Sequence, residues 1–253
     1  MTVTGAQLTL DLPHRPALDR ADFLVAPANE LAVAWIDRWP AWPHPALALQ
    51  GPAGSGKTHL LRVWQKAAGA RPLDPQQIAT REPAALLDGA RAAFLDDAGG
   101  ALDAAAAARD GGAFARGLLH LYNSLAEVGG HLLLADRRAP RAWPMIVPDL
   151  HSRLGAAPVV AMGAPDDQLI AAVLVKLFAD RQLSAPPEVL RFLLPRMERS
   201  FAAAQAVVAA LDRAALARQR AITVPLARAV LQGESGAGAA PHIEEGEDTW
   251  ISD

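Results

Sequence analysis

The segment LALQGPAGSGKTHLL (residues 47–61) contains the motif that decides the fold of this chain. Its centre, GPAGSGKT at residues 51–58, matches the pattern G-x-x-x-x-G-K-[ST] at every position. The apolar stretch PALALQ (45–50) before it is typical of a buried strand, and THLLRVWQKA (58–67) after it has helical periodicity. A glycine-rich loop between a strand and a helix is the context in which this motif binds polyphosphates. The sequence therefore predicts a P-loop that binds a nucleoside triphosphate.

Each part of this loop has an expected role in holding ATP or ADP. The glycines let the backbone curl so that its N–H groups point at phosphate oxygens. Lys57 is expected to meet the β- and γ-phosphates, and the hydroxyl of Thr58 is expected to ligate Mg²⁺. The alternative is a glycine-rich turn without a ligand, which the agreement of motif and context disfavours. The expected nucleotide-binding residues are Gly51, Pro52, Ala53, Gly54, Ser55, Gly56, Lys57 and Thr58.

Two acidic residues end a second apolar stretch, RAAFLDD (91–97). A buried strand that ends in this way would place Asp96 at the carboxyl edge of the sheet, beside the P-loop, to hold Mg²⁺ through water. Asp97 would polarise the attacking water. The preceding P-loop favours these roles, because P-loop ATPases hold their metal in this way. The alternative is that both acids cap the next helix. We therefore predict a magnesium site formed by Thr58 and Asp96.

Strand-like and helical segments alternate up to Pro165 and then give way to helical segments alone. The stretches GHLLLAD (130–136) and APVVAM (157–162) are strand-like, and FARGLLHLYNSLAEV (114–128) is helical. Alternation of this kind predicts a parallel α/β sheet, and the later helices predict a small bundle. We interpret three tryptophans as packing between domains: Trp35, Trp39 and Trp42. Asn29 is a possible helix N-cap. The sequence does not decide whether the run at 103–112 is a helix end or a loop. The predicted divisions are an arm (1–20), a nucleotide-binding domain (21–165), a helical domain (166–232) and a disordered acidic tail (233–253).

Composition excludes several classes of protein. The chain has 253 residues, no cysteine and seven scattered histidines, so a disulfide framework and a His/Cys metal centre are not expected. No signal peptide or bilayer-spanning segment is evident, which predicts a cytoplasmic protein without membrane contact. The formal net charge is −3, but six acidic residues and no Lys or Arg follow Gln232, which leaves +3 on residues 1–232. That charge is too small to predict direct, sequence-specific DNA binding.

Four stretches resemble the ATPase module of DnaA-type replication initiators within the AAA+ class. They are FLVAPANELA (23–32), GPAGSGKTHLL (51–61), FLDD (94–97) and HLLLADR (131–137). The resemblance covers residues from about 20 to 232. It implies an α/β P-loop (AAA+) ATPase domain with a parallel sheet, followed by a small all-helical lid domain. It also implies ATP hydrolysis at interfaces between subunits, in a homo-oligomer or with an initiator.

Within this class the chain is most similar to the Hda family of DnaA-related regulators, which inactivate the initiator. No DNA-binding helix-turn-helix pattern follows the lid, and the hexapeptide QLTLDL (7–12) resembles the sliding-clamp-binding peptide Q-L-x-L-x-L of that family. The resemblance implies that Gln7 hydrogen-bonds at the rim of the clamp groove. Leu10 and Leu12 would fill its apolar pocket, with Leu8 alongside. The alternative is an edge strand on the chain's own sheet.

The same resemblance implies further catalytic residues. Asp136, at the end of a strand, matches the sensor 1 position, although Ala135 stands where a Ser or Thr is common. Arg153, in PDLHSRLG, matches the arginine finger. Ala202 falls on the position of the sensor 2 arginine, and Arg199, about one turn earlier, is a candidate to replace it. This loss predicts weak intrinsic hydrolysis.

Three functions follow as hypotheses. The first is a regulator that binds adenine nucleotide, docks on the sliding clamp and presents Arg153 to ATP held by a DnaA-type initiator. The second is a stand-alone AAA+ ATPase that acts as a DnaA-like initiator or helicase loader. The third is a nucleotide-gated adaptor that tethers another protein to the clamp. The absence of a basic patch for DNA argues against the second. The third shares every site with the first except the catalytic role of Arg153, so only an assay of stimulated hydrolysis separates them.

Overall fold

The computed structural model describes residues 23–108, 112–144, 146–218 and 221–236. The proposed clamp-binding residues Gln7, Leu8, Leu10 and Leu12 lie outside these ranges, as does the chain after residue 236. Within the described residues, no helix combines the length and the hydropathy needed to cross a membrane.

A five-stranded parallel sheet forms the centre of the first domain, with strand order β2-β3-β4-β1-β5. The residues of β1, β3 and β4 are almost all buried, because helices cover both faces of the sheet. This two-sided burial explains why these strands contain continuous runs of Ala, Leu and Phe. The strands are β1 (Ala46–Gln50), β2 (Arg71–Pro72), β3 (Ala92–Leu95), β4 (His131–Asp136) and β5 (Val159–Ala161).

Helices cover the two faces of the sheet and form two hydrophobic cores. One core packs α1 and α2 against the sheet through residues such as Ile36 and Leu60, and the other packs α3 to α7 through residues such as Ile78 and Leu118. The helices of this domain are α1 (Glu30–Asp37), α2 (Lys57–Ala68), α3 (Pro75–Thr80), α4 (Pro83–Leu87), α5 (Ala98–Ala107), α6 (Gly112–Glu127) and α7 (Pro148–Gly155).

The strand register brings the polar residues predicted for the site to one edge of the sheet. Gln50 at the end of β1 lies opposite Asp136 at the end of β4, and Leu95 of β3 lies opposite Leu134. The P-loop follows β1 and Asp96 follows β3, so the carboxyl ends of three neighbouring strands meet. This edge is where ligands bind in open parallel sheets.

The helical domain has its own hydrophobic core, which draws Leu174, Val189, Val208 and Leu226 from four different helices. Its first helix begins at a capped end, because Oδ1 of Asp166 accepts a hydrogen bond from the backbone N–H of Leu169 at 2.7 Å. The four helices are α8 (Asp167–Asp180), α9 (Pro187–Leu193), α10 (Phe201–Arg218) and α11 (Val224–Gly236). Helix α11 therefore continues four residues past the predicted end of this domain at 232.

One expectation from the sequence needs correction. The tryptophans do not pack between domains: Trp42 stacks on Trp64 of α2 at 5.3 Å and Trp39 meets the same ring edge-on at 6.0 Å. This cluster belongs to the core beneath α1 and α2. Asn29 is the N-cap residue of α1, as predicted, but its side chain makes no capping hydrogen bond. The run at 103–112, which the sequence left undecided, contains the end of α5 at Ala107 and the start of α6 at Gly112.

Candidate nucleotide-binding site

The P-loop depends on backbone conformations that favour glycine. Gly54 and Gly56 have φ angles of +74° and +92°, in the left-handed region that L side chains rarely adopt. Space is also restricted, since a Cβ on Gly54 would lie 2.5 Å from Cβ of Ser200, at the start of α10. The conformation of the loop thus depends on its glycines, and the start of α10 in the helical domain packs against it.

The side chain of Lys57 is held inside the curl of the loop. Its Nζ donates to the backbone carbonyl oxygens of Gly51 and Pro52, each at 2.8 Å, and to Oγ of Ser55 at 3.3 Å. Partial burial lowers the pKa of the Lys57 ammonium, and the nearby carboxylate of Asp96 opposes that shift. A cation placed among loop carbonyls in this way is well placed to interact with a bound phosphate.

Thr58 and Asp96, the two residues predicted to hold Mg²⁺, are in direct contact. The Thr58 hydroxyl donates to Oδ2 of Asp96 at 2.6 Å, although 38 positions separate them in sequence. Among the described residues, no group of three or more His, Cys, Asp or Glu side chains could hold a metal ion. Hydroxyl and carboxylate oxygens beside a phosphate loop fit Mg²⁺, which binds through one or two protein oxygens, waters and phosphates.

Asp97 and Asp136 form a second acidic pair behind the loop. Asp136 is buried, and its carboxylate accepts hydrogen bonds from the backbone N–H of Gly99 (3.1 Å) and Arg138 (2.7 Å) and from Nε1 of Trp143 (3.3 Å). Burial raises the pKa of Asp97, and the charge and hydrogen bonding of Asp136 raise it further. Asp136 therefore fixes the end of β4 to the start of α5, while Asp97 ionises less readily than an ordinary carboxyl group.

An apolar cavity of about 470 Å³ lies between the two domains, next to the P-loop. Phe23, His59 and Phe201 contribute rings to its wall, and Phe23 and His59 meet edge-on at 5.2 Å. Val173 and Leu177 of α8 also line it. A flat, mostly apolar group such as a nucleobase fits these walls, and the P-loop lies at the position that its phosphates would occupy.

Known proteins share the lid sequence and the fold of this chain. Residues 166–231 match the family model of the Hda lid domain. Domain III of the replication initiation protein DnaA from Thermotoga maritima superposes with a TM-score of 0.74 at 17% identity, covering 88% of this chain and 98% of that chain. Residues 166–231 are thus an Hda-type lid, and the chain shares its fold with domain III of DnaA. The predicted fold class, an α/β P-loop (AAA+) domain followed by a helical lid, is confirmed.

Two nucleotide-bound structures share the fold. AMPPCP-bound DnaA from Aquifex aeolicus has a TM-score of 0.61 at 18% identity, covering 79% of this chain and 66% of that chain. A replication initiator DnaA bound to AMPPCP and single-stranded DNA has a TM-score of 0.59 at 17% identity, with the same two coverages. Both of those proteins bind a nucleotide analogue.

The Hda-type lid brings Ala202, and not Arg199, to the P-loop. Ala202 lines a cavity together with Gly54, Lys57 and Thr58. Arg199 is exposed and pairs with Asp167 of α8, with Nε 2.6 Å and Nη2 3.1 Å from the two carboxylate oxygens. These hydrogen bonds raise the pKa of Arg199, which therefore stays charged. Its replacement of the sensor 2 arginine stays a prediction, and it would require Arg199 to leave Asp167.

The roles of several residues that shape the site were not predicted from the sequence. Asn29 is buried, its Oδ1 accepts from the backbone N–H of Ala26 at 2.9 Å, and its Nδ2 donates to the carbonyl of Leu24 at 3.0 Å. These bonds fix the loop that carries Phe23 over the cavity. The stretch FLVAPANELA gave a signal for the loop, but the opposing rings of His59 and Phe201 meet only through tertiary packing.

Arg153 lies on α7, outside the residues that line the P-loop cavities. Its Nε is 3.2 Å from both carboxylate oxygens of Asp149, one turn earlier on the same helix. Its guanidinium lies 5.7 Å from the ring centroid of Tyr122, and 42% of the side chain remains exposed. The guanidinium is thus oriented by two neighbours and still open to solvent.

Proposed function

We propose that this chain binds an adenine nucleotide and Mg²⁺, and that it inhibits replication initiation by stimulating ATP hydrolysis in a DnaA-type initiator. The proposal rests on the difference between two sites of the chain, the P-loop and the exposed arginine Arg153. The chain's own P-loop faces Ala202 of the lid, whereas an oriented, solvent-accessible arginine lies on α7. The Hda-type lid and the DnaA-like fold support this relation to replication.

The chain's own site would hold nucleotide as a structural element. Lys57 would bind the β- and γ-phosphates, Thr58 and Asp96 would hold Mg²⁺, and the apolar cavity would receive the base. Mg²⁺, when bound, would neutralise charge on the phosphate oxygens. With no arginine at position 202, we propose weak intrinsic hydrolysis.

Arg153 would act on ATP bound to a neighbouring initiator subunit. A guanidinium supplied by a partner stabilises the charge that develops during phosphoryl transfer, and such arginine fingers contribute about 10³–10⁵ in rate in GTPases. The contacts with Asp149 and Tyr122 would hold Arg153 in place before the partner binds, which lowers the cost of ordering it.

The sliding clamp would bring this chain to the initiator. Residues 7–12 carry the proposed contacts through Gln7, Leu8, Leu10 and Leu12. A tether of this kind raises the local concentration of Arg153 near initiators on the same DNA, without any new contact between the two proteins.

The test is a reconstitution of ATP-loaded DnaA, DNA-loaded clamp and this chain. Arg153→Ala is expected to reduce the stimulation of ATP hydrolysis by at least about 100-fold, because the finger would be absent. Binding to clamp and nucleotide should be unchanged. Arg91→Ala is the matched control, since Arg91 is an exposed arginine of the same domain. Undiminished stimulation by Arg153→Ala would overturn the assignment, and DNA-stimulated turnover by this chain alone would favour a stand-alone ATPase.

A further inference from the structure

The lid carries a second cavity, of about 560 Å³, which adjoins the cavity beside the P-loop at Ala206 of α10. We call it the lid cleft. Met197, Val207 and Leu231 give it an apolar floor, and Arg196 and Arg228 stand at its walls. Helices α9, α10 and α11 all contribute to it, so the cleft is formed only when the lid is folded.

Two arginines give the lid cleft a positive charge. The guanidinium carbons of Arg196 and Arg228 lie 4.3 Å and 5.7 Å from the ring centroid of Phe192. Stacking on one ring from two helices holds both cations at the cleft. In the part of the chain that the structure describes, neither arginine forms a salt bridge, and Glu198 is the one acidic residue among the lining residues. The cleft therefore fits an acidic segment that also carries apolar side chains.

The end of this chain has that chemistry. The segment 237–253 follows directly after α11, which supplies Arg228 and Leu231 to the lid cleft. Its 17 residues include no Lys or Arg. Its apolar residues include Trp250 and Ile251 near the end. Its acidic residues are Glu244, Glu245, Glu247, Asp248 and Asp253.

The length of this segment is sufficient for it to turn back. Arg228 and Gly236 lie eight positions apart on α11, which corresponds to about 12 Å at 1.5 Å per residue. Seventeen extended residues span up to about 55 Å. The segment can therefore reverse direction after Gly236 and still cover the whole cleft.

We propose that the C-terminal segment 237–253 docks into the lid cleft of its own chain. Its carboxylates pair with Arg196 and Arg228, and Trp250 or Ile251 packs on the apolar floor. A covalently attached segment has an effective concentration in the millimolar range, which favours it over a separate acidic peptide. The proposal does not depend on the nucleotide or on Arg153. It can therefore fail while the proposed function holds, and the proposed function can fail while this proposal holds.

Disulfide trapping in the full chain tests this proposal, because the chain contains no cysteine of its own. We pair Ala203→Cys, in the cleft lining, with Ser252→Cys in the segment. The matched control pairs Ala217→Cys, an exposed alanine of the same helix outside the lining, with Ser252→Cys. Under copper–phenanthroline oxidation at low protein concentration, the cleft pair should close within one chain about tenfold faster than the control.

The arginines provide the second arm of the test. Arg196→Glu with Arg228→Glu should abolish the rate difference, and added salt should reduce it, since the pairing is electrostatic. If circular dichroism shows that this double variant is unfolded, the milder Arg228→Gln replaces it and should reduce the difference. Equal rates for the two cysteine pairs would overturn the proposal, as would a rate difference that ignores the arginines. Cross-links only between chains would also overturn it and assign the cleft to a second copy.

Discussion

At the scale of single residues, the second acid of the FLDD motif, Asp97, has an unfavourable backbone conformation and unfavourable neighbouring charges. Asp97 has a φ of +52°, a conformation that costs most L residues energy but that Asp and Asn tolerate best. It also lies beside two other carboxylates, Asp96 and Asp136. Strain and like charge at one position are typical of functional sites, where stability is given up for chemistry.

Replacing Asp97 should therefore stabilise the protein in a pH-dependent way. The raised pKa of Asp97 means that its ionisation is less favourable in the folded chain than in the unfolded chain. The cost is absent at low pH, where both states are protonated, and it is complete above the raised pKa. We expect Asp97→Asn to increase the free energy of unfolding at pH 7, by less than about 1 kcal/mol for an exposed group. The gain should vanish as the pH falls toward 4, in urea titrations at each pH.

Asp136→Asn is the contrasting variant in the same titrations. Three N–H donors converge on the Asp136 carboxylate, so an amide NH₂ in place of one oxygen would face a donor. We expect a loss of about 1–3 kcal/mol for leaving a buried polar group without its partner. A stabilising effect of Asp136→Asn, or a destabilising effect of Asp97→Asn at pH 7, would contradict this account of the pair.

The residue pairs that could be predicted are those that topology brings together. Thr58 follows β1 and Asp96 follows β3, the two parallel strands on either side of β4, so a motif and a strand pattern were enough to predict their contact. The partner of Arg199 could not be predicted in this way. Asp167 lies 32 positions away on α8, and nothing in the local sequence distinguishes it from the other acids of the lid.

At the scale of elements, four of the five strands of the described sheet could be predicted from apolar runs in the sequence. The strands β1, β3 and β4 are continuous apolar runs and lie close to their expected bounds. The strand β2 consists of Arg71 and Pro72 at the edge of the sheet, where two residues give no periodicity and proline argues against a strand. The tryptophans were assigned to the wrong contact because Trp64, on which Trp42 stacks, lies on a different element.

The contact between the P-loop and the start of α10 can be tested with two glycine substitutions. Gly54 and Gly89 have similar φ angles, +74° and +79°, but a Cβ on Gly89 would meet no atom within 4 Å. Gly89→Ala should thus report the cost of the left-handed conformation alone, about 1–2 kcal/mol. Gly54→Ala should cost more, because its Cβ would also collide with Ser200. Equal losses of the free energy of unfolding, measured by chemical denaturation, would show that the lid does not pack against the loop in solution.

At the scale of the whole molecule, two independently packed units meet at the candidate nucleotide site. The lid has its own core, and Ser200 and Phe201 at its α10 contact the glycines of the P-loop. The division into two units could be predicted from the loss of strand patterns after Pro165. The cavity between them could not, because it is formed by side chains from the loop before α1, from α2 and from α8 and α10.

A ligand that bridges both units should stabilise the lid as well as the P-loop domain. We expect AMPPCP with Mg²⁺, at 100 times its Kd, to raise the free energy of unfolding by about 2.7 kcal/mol and to slow hydrogen exchange in α8 and α10. Lys57→Ala should abolish both effects, because it removes the cation of the loop. Lys66→Ala, a lysine near the other end of α2, should retain them. Slower exchange in the P-loop without any change in the lid would mean that the nucleotide is held by one unit only, and that the apolar cavity does not receive its base.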